Sequence, residues 1–264
     1  MGVYDSSRTR VAPVFNYLYC RDISGRTWLP GLLSLVGVEC PPLPPRALAR
    51  ADWWPREAAV PAPLDLLLWL AENCVQPSVP SATGTDATKR RRTALLNRDP
   101  SVLAEARAAL RAGRTSKAWC ALEGPSQPDV FLETKDLLVV IEGKRTEPGP
   151  TTSTWWMPVR HQMLRHIDAA WNARGDRKVV GLMIVDGAEG EHAVPSPWRE
   201  YRKSLEGSSA VNESLPHRSV AERGDILRAF AGVTTWQAVM DALDVPKEVL
   251  IDRVVETDGE LPPS

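Results

Sequence analysis

The stretch PDVFLETKDLLVVIEGK, Pro128 to Lys144, decides how this chain reads. Leu137 to Ile141 (LLVVI) is its longest β-branched-rich segment, and such a run reads as a buried strand. The run closes on Glu142-Gly143-Lys144. A buried strand avoids an acid and a base unless they have chemistry to perform, because burying charge is costly. Functional interpretation begins at that strand end.

Val130 to Glu133 predicts a partner strand upstream. A two-residue loop at Lys135-Asp136 pairs Thr134 with Leu137 and thereby sets Asp129 across from Glu142, a register that one extra loop residue destroys. Directly opposed residues hold their Cβ atoms ~5 Å apart. Glu142 and Lys144 share a face, since side chains alternate along a strand. Two carboxylates therefore converge with an ammonium beside them. Such carboxylates repel unless a cation lies between them. A hard divalent ion with oxygen ligands suits that position, and Mg²⁺ fits it. The ion would lower the pKa of a bound water and neutralise charge on a phosphoryl oxygen. Lys144 is then placed to orient or deprotonate the attacking water, or to stabilise a pentacovalent phosphate, with its own pKa lowered by burial and by the ion. The second ExK pattern, Glu133-Thr134-Lys135, sits beside Asp136 at a polar turn, and turn chemistry explains it.

Around this hairpin the chain falls into a recognisable order. Leu64 to Cys74 has the spacing of an amphipathic helix. Gln76 to Thr88 reads as a loop and Lys89 to Arg92 as a solvated basic turn. Asp99-Pro100-Ser101 opens a helix that Gly113 caps. A short strand is expected at Ala118 to Leu122, a helix over 159–173 and a buried strand at Lys178 to Val185. Helices at 225–230 and 235–243 form a tail. The expected fold class is α/β, a mixed central sheet flanked by helices. Residues 96–190 form its core, 1–95 an N-terminal helical and extended elaboration, and 191–264 a helical C-terminal elaboration packed on that core. The flanks are candidates for substrate recognition or a homodimer contact.

On these residues the stretch resembles the PD-(D/E)xK, or restriction-endonuclease-like, nuclease superfamily: Pro128-Asp129, then Glu142-Gly143-Lys144, in an αβββαβ order of elements. The resemblance covers residues 99 to 187, about a third of the chain. It implies a divalent-metal-dependent nuclease using Mg²⁺ or Mn²⁺, foremost a DNA endonuclease of restriction, defence or repair. The alternative is a non-cleaving nuclease-fold module that binds DNA or protein. Carried over by position, Asp129 and Glu142 become metal ligands, the carbonyl of Gly143 a further one, and Lys144 the catalytic lysine. Several families of this fold place a glutamine on the helix after the motif, and Gln162 is similar. Arg160 and Arg165 are candidates for phosphate contacts. Glu123 is a further candidate metal ligand, with a salt bridge at the turn as the other reading. Glu105 reads as a surface helix glutamate. His161 and His166 stand five apart and so do not share a helix face as a metal-binding pair would.

Composition narrows the classes. With 43% hydrophobic and 25% charged residues the chain reads as a soluble globular protein. A net charge of -1 provides no global basic field, so a nucleic-acid partner, DNA before RNA, must be met by local patches. No apolar run approaches the ~20 residues of a membrane span, and the N-terminus lacks the apolar core of a signal peptide; a cytoplasmic location without a membrane partner is expected. Cys20, Cys40, Cys74 and Cys120 are scattered with no CxxC, which argues against a zinc knuckle or redox pair. GTDATK, Gly84 to Lys89, lacks the second glycine of a P-loop.

Overall fold

A strand buried on both faces needs a helical layer against each of them. The computed structural model, which describes residues 5–45, 47–73, 85–114, 118–154, 156–188 and 191–252, supplies both layers. A π-helical turn, Ser7–Val11, leads into α1 (Ala12–Arg21), followed by α2 (Leu29–Ser34) and β1 (Arg50–Trp53). Next come α3 (Leu64–Asn73), α4 (Asp86–Leu96) and α5 (Pro100–Arg111). The hairpin β2 (Val130–Glu133) and β3 (Leu137–Gly143) precedes α6 (Gln162–Ala173) and β4 (Lys178–Val185). Short helices α7 (Ser196–Arg199), α8 (Tyr201–Leu205) and α9 (Ser209–Ser214) lead to α10 (Val220–Ala229), β5 (Phe230–Thr235) and α11 (Trp236–Ala242).

The five strands form one sheet in the order β1-β2-β3-β4-β5. The β1–β2 and β2–β3 pairs are antiparallel, whereas β3–β4 and β4–β5 are parallel. The parallel β3–β4 step is bridged by α6, as a crossover requires. All seven residues of β3 are buried at the centre. Their alternation sorts the core into two layers. Leu137, Val139 and Ile141 pack with Val180, Leu182 and Ile184 against α1, α2 and α11. Leu138 and Val140 pack with Val179, Met183 and Val185 against α6, α8 and α10. A third cluster joins α3, α4 and α5 to Cys120, Leu122 and Met157.

The α/β class, the mixed sheet and the flanking helices agree with expectation, and four elements do not. Ala118 to Leu122 forms no strand: Cys120 and Leu122 are buried among α3 and α5, so helices rather than the sheet satisfy their apolarity. The third antiparallel strand is instead β1, from the N-terminal region. Its sequence, RADW, is short and partly exposed, as befits an edge, and it lacks a strand's alternation. The C-terminal region is not purely helical, because β5 (FAGVTT) lies between α10 and α11. Its Gly232 carries φ 148, a conformation open to glycine, at a register shift that breaks the strand pattern. Lys89 to Arg92 belongs to α4, whose N-cap Thr85 accepts from the Thr88 amide. Cys74 and residues 76–84 of the expected loop lie outside the described residues.

Gly143 shows how tightly the first layer closes on the strand end. A Cβ there would stand 2.5 Å from Val11 Cγ2 and 2.9 Å from a Trp236 ring carbon. Gly143→Ala is expected to cost ~1–3 kcal/mol through overpacking, read as a lowered midpoint in chemical denaturation.

Candidate active site

The meeting of Asp129 and Glu142 depends on the turn between β2 and β3. Thr134 Oγ1 accepts from the amides of Asp136 (3.2 Å) and Leu137 (2.9 Å), and the Thr134 amide donates to Leu137 O at 2.9 Å. The hydroxyl thus pins a two-residue loop. Glu133 pairs with Leu138 and Val130 with Ile141. One step outward, Asp129 stands across from Glu142. The second ExK is spent on structure: Glu133 forms an ion pair with Arg177, and Lys135 lies in the turn.

Each carboxylate is held by specific donors. Asp129 Oδ1 accepts from the Ser7 hydroxyl at 2.7 Å, and Oδ2 from the Gly143 amide at 2.8 Å. Glu142 Oε1 accepts from Gln162 Nε2 at 2.5 Å and lies 2.9 Å from Lys144 Nζ. His166 Nε2 is 3.1 Å from Glu142 Oε2, though not aligned as a hydrogen bond, and Oε2 has no hydrogen-bond partner among the described residues. The other ring nitrogen of His166 is 2.7 Å from Ser126 Oγ. The backbone of Lys144 is tied down as well: its amide donates to Ile184 O at 2.8 Å, and its carbonyl accepts from Asp186 N and Trp236 Nε1, each at 3.2 Å.

Electrostatics separates the two acids. Burial and the facing Glu142 push the Asp129 carboxyl up to about 8, against the opposing pull of Ser7, the Gly143 amide and Lys144. Burial also pushes Glu142 upward, but His166 and Lys144 outweigh it and hold this carboxyl below its ordinary value. For Lys144 the expected lowering by burial is present but is outweighed by its carboxylate neighbours, Glu142, Glu147 and Asp129, which raise its pKa. The pair thus shares charge unequally, Glu142 keeping its negative charge and Asp129 its proton.

No family model, curated protein or solved structure matches the chain. The site is therefore judged on its own chemistry. Among the described residues no group of three or more His, Cys, Asp or Glu is arranged to hold a metal ion. The protein donors facing one another are two carboxylates, the number with which Mg²⁺ commonly binds while keeping water and substrate oxygens. A buried Oε2 on Glu142 met by a misaligned His166 at 3.1 Å and a carboxyl on Asp129 that resists ionisation are the features a cation would relieve.

Two candidate residues serve elsewhere. Glu123 as a metal ligand is corrected, because guanidinium and indole donors occupy both its oxygens. Arg160 reaches Oε1 at 2.9 Å and Oε2 at 3.1 Å, and Trp156 Nε1 reaches Oε2 at 2.9 Å. Burial raises the Glu123 carboxyl, but Arg160, Arg165 and Trp156 hold it below its ordinary value. Arg160 as a phosphate contact is corrected too. Its side chain is fully buried and also binds Asp168 Oδ2 at 3.0 Å and Ser214 O at 2.8 Å. Arg165 is partly exposed, lying over the Trp156 ring and donating to Pro125 O at 3.1 Å. Glu105 pairs with Arg91 on the helical surface. Sequence reasoning missed Ser7 and Ser126 altogether, and read His166 as one of two histidines too far apart in phase to form a metal-binding pair; its i, i+4 spacing from Gln162 is the signal of a shared face.

Two outcomes follow from these environments. Arg160→Met leaves Glu123 and Asp168 buried without their shared cation, so stability should fall by ~3–5 kcal/mol in urea denaturation. For Asp129, the folded-state pKa lies above the unfolded value, so the native state binds the extra proton and stability falls as pH rises from about 4 to about 8. Asp129→Asn removes that contribution. Its stability relative to wild type should therefore rise across this window and level off above it, as measured by urea titrations at stepped pH.

Proposed function

We propose that the protein is a divalent-metal-dependent nuclease that hydrolyses phosphodiester bonds, foremost a DNA endonuclease of restriction, defence or repair. The observation that carries the reading is the convergence of Asp129 and Glu142 across the β2–β3 pair, with Lys144 Nζ 2.9 Å from Glu142. The elements packed on the sheet add support. Counting α1, β1, β2, β3, α6 and β4 alone, the order is αβββαβ, with α3 to α5 inserted between the first two strands. This differs from the order expected at residues 99 to 187, where the first strand and helix were assigned to segments that lie off the sheet.

A bound Mg²⁺ or Mn²⁺ would supply Lewis acidity toward a phosphoryl oxygen and an acidified water. Asp129 and Glu142 are the residues to hold it. Ser7 and the Gly143 amide orient Asp129, and Gln162 orients Glu142. Lys144, its pKa raised by the surrounding carboxylates, keeps its proton at neutral pH. With that proton it is placed to stabilise negative charge on the phosphate. The Gly143 carbonyl completes the proposed ligand set by position.

The alternative, a module of this fold that binds without cutting, is favoured by one observation: no larger set of metal donors gathers among the described residues. Incubation with plasmid and linear DNA in Mg²⁺ or Mn²⁺ decides between them. Cleavage by wild type, reduced ~10²–10³-fold in Lys144→Ala, is the expected result. Calorimetric titration with Mn²⁺ should show binding to wild type and none to Asp129→Ala. Metal-independent DNA binding with no cleavage selects the alternative.

A further inference from the structure

A chain with net charge -1 must meet a polyanion through local charge. Its densest basic run, on α4, is largely exposed, and three of its four cations have partners within the chain. Arg91 pairs with Glu105 at 3.3 Å, Arg92 donates to Trp119 O at 2.9 Å, and Lys89 lies 4.0 Å from Asp86. Another set of cations, Arg199, Arg202 and Lys203, lines an open groove of about 350 Å³ beside the middle of β5, with Glu206 as the only acid in its wall among the described residues. The three fall at i, i+3 and i+4, and Glu200 between α7 and α8 keeps helical dihedrals, so they share one face. Arg199 donates to Val194 O at 2.9 Å, and Arg202, whose buried Nε has no hydrogen-bond partner among the described residues, pairs loosely with Glu206 at 3.9 Å. Lys203 is exposed.

The opposite wall selects the kind of partner. β5 ends the sheet, so among the described residues one of its edges is free of a neighbouring strand. Its register shift and the unusual Gly232 backbone interrupt the ladder, a feature that discourages addition of a peptide strand. Charge, rather than main-chain pairing, is what the groove offers. Its position also suits a substrate: Val233 is in register with Met183, and Met183 with Glu142. That places the groove wall two strand spacings, ~10 Å in the plane of the sheet, from Glu142, with the buried Met183 between them, so one polyanion reaching both passes over the surface rather than straight across.

We propose that the groove between α7–α8 and β5 binds the phosphate backbone of nucleic acid, which rests on the nuclease reading above. The test is fluorescence anisotropy of a labelled DNA duplex, in chelator so that nothing is cut, across a salt series. Arg202→Ala/Lys203→Ala should bind roughly tenfold or more weakly, with the log–log salt slope reduced by about 0.9 for each lost phosphate contact. Thermal unfolding checks that the variant is folded, and Lys203→Glu at its exposed position reads the same effect by itself. Arg90→Glu on α4 should weaken binding less than Lys203→Glu. Unchanged affinity and slope in the groove variants overturns the proposal while leaving the nuclease reading standing. Equal weakening by Arg90→Glu and Lys203→Glu also overturns it, because diffuse charge then suffices. Retained DNA affinity with lost binding of polyglutamate assigns the groove to an acidic protein segment instead. A wild type that binds no DNA removes the nucleic-acid reading and the groove proposal together.

Discussion

The antiparallel register of β2 against β3 is the constraint on which the rest depends. It forces Asp129 and Glu142 to face one another at the buried end of the sheet's central strand. Two ionised carboxylates in that position are mutually destabilising. The surrounding chain answers by treating them differently. Glu142 receives Lys144, Gln162 and His166 and keeps its charge, while Asp129, held by a hydroxyl and an amide, keeps its proton. Donors reach the pair from the π-helical turn before α1, from α6 and from β3 itself. The candidate site is thus a property of the whole sheet and both its layers.

A second buried acid, Glu123, shows what a purely structural carboxylate looks like here. Arg160, Trp156 and Arg165 saturate it and stabilise its charge, and Arg160 extends the cluster to Asp168. Asp168 in turn binds Arg218 at 2.8 Å and His217, which locks α6 to the segment before α10. Such a cluster is complete: every charge has a partner, and removal of one partner is what costs stability. The Asp129–Glu142 pair is incomplete by comparison. There one carboxyl stays protonated beside a charged one instead of each meeting a cation, and that difference marks it as the place where chemistry is to be sought.

The same physics explains which parts of the chain were readable. LLVVI and KVVGLMIV are central strands buried on both faces, so their apolar runs are long and their identity is local information. Asp99 and Gly113 were legible as helix boundaries because caps act through adjacent backbone. β1 and β5 were not, since an edge strand is half exposed and takes its conformation from its neighbour, not from its own residues. AWCAL at 118–122 misled for the converse reason, as its apolarity serves a helical cluster. Arg160 and Glu123 looked like functional charges because sequence records that a charge is present and not whether a partner meets it.

The sequence by itself determined the two central strands, the two-residue turn and therefore the facing of Asp129 and Glu142. Strand periodicity and turn chemistry are short-range, and register follows from counting residues back from the loop. Tertiary structure alone decided which side chains attend that pair. Ser7 reaches Asp129 across 122 residues, and His166 meets Ser126 across 40. Contacts at such separations depend on how layers stack on the sheet, and no local pattern encodes them. The protonation states depend on the same stacking: with burial and partners in place, Lys144 holds its proton more firmly and Asp129 does too, whereas burial by itself would loosen the lysine's proton.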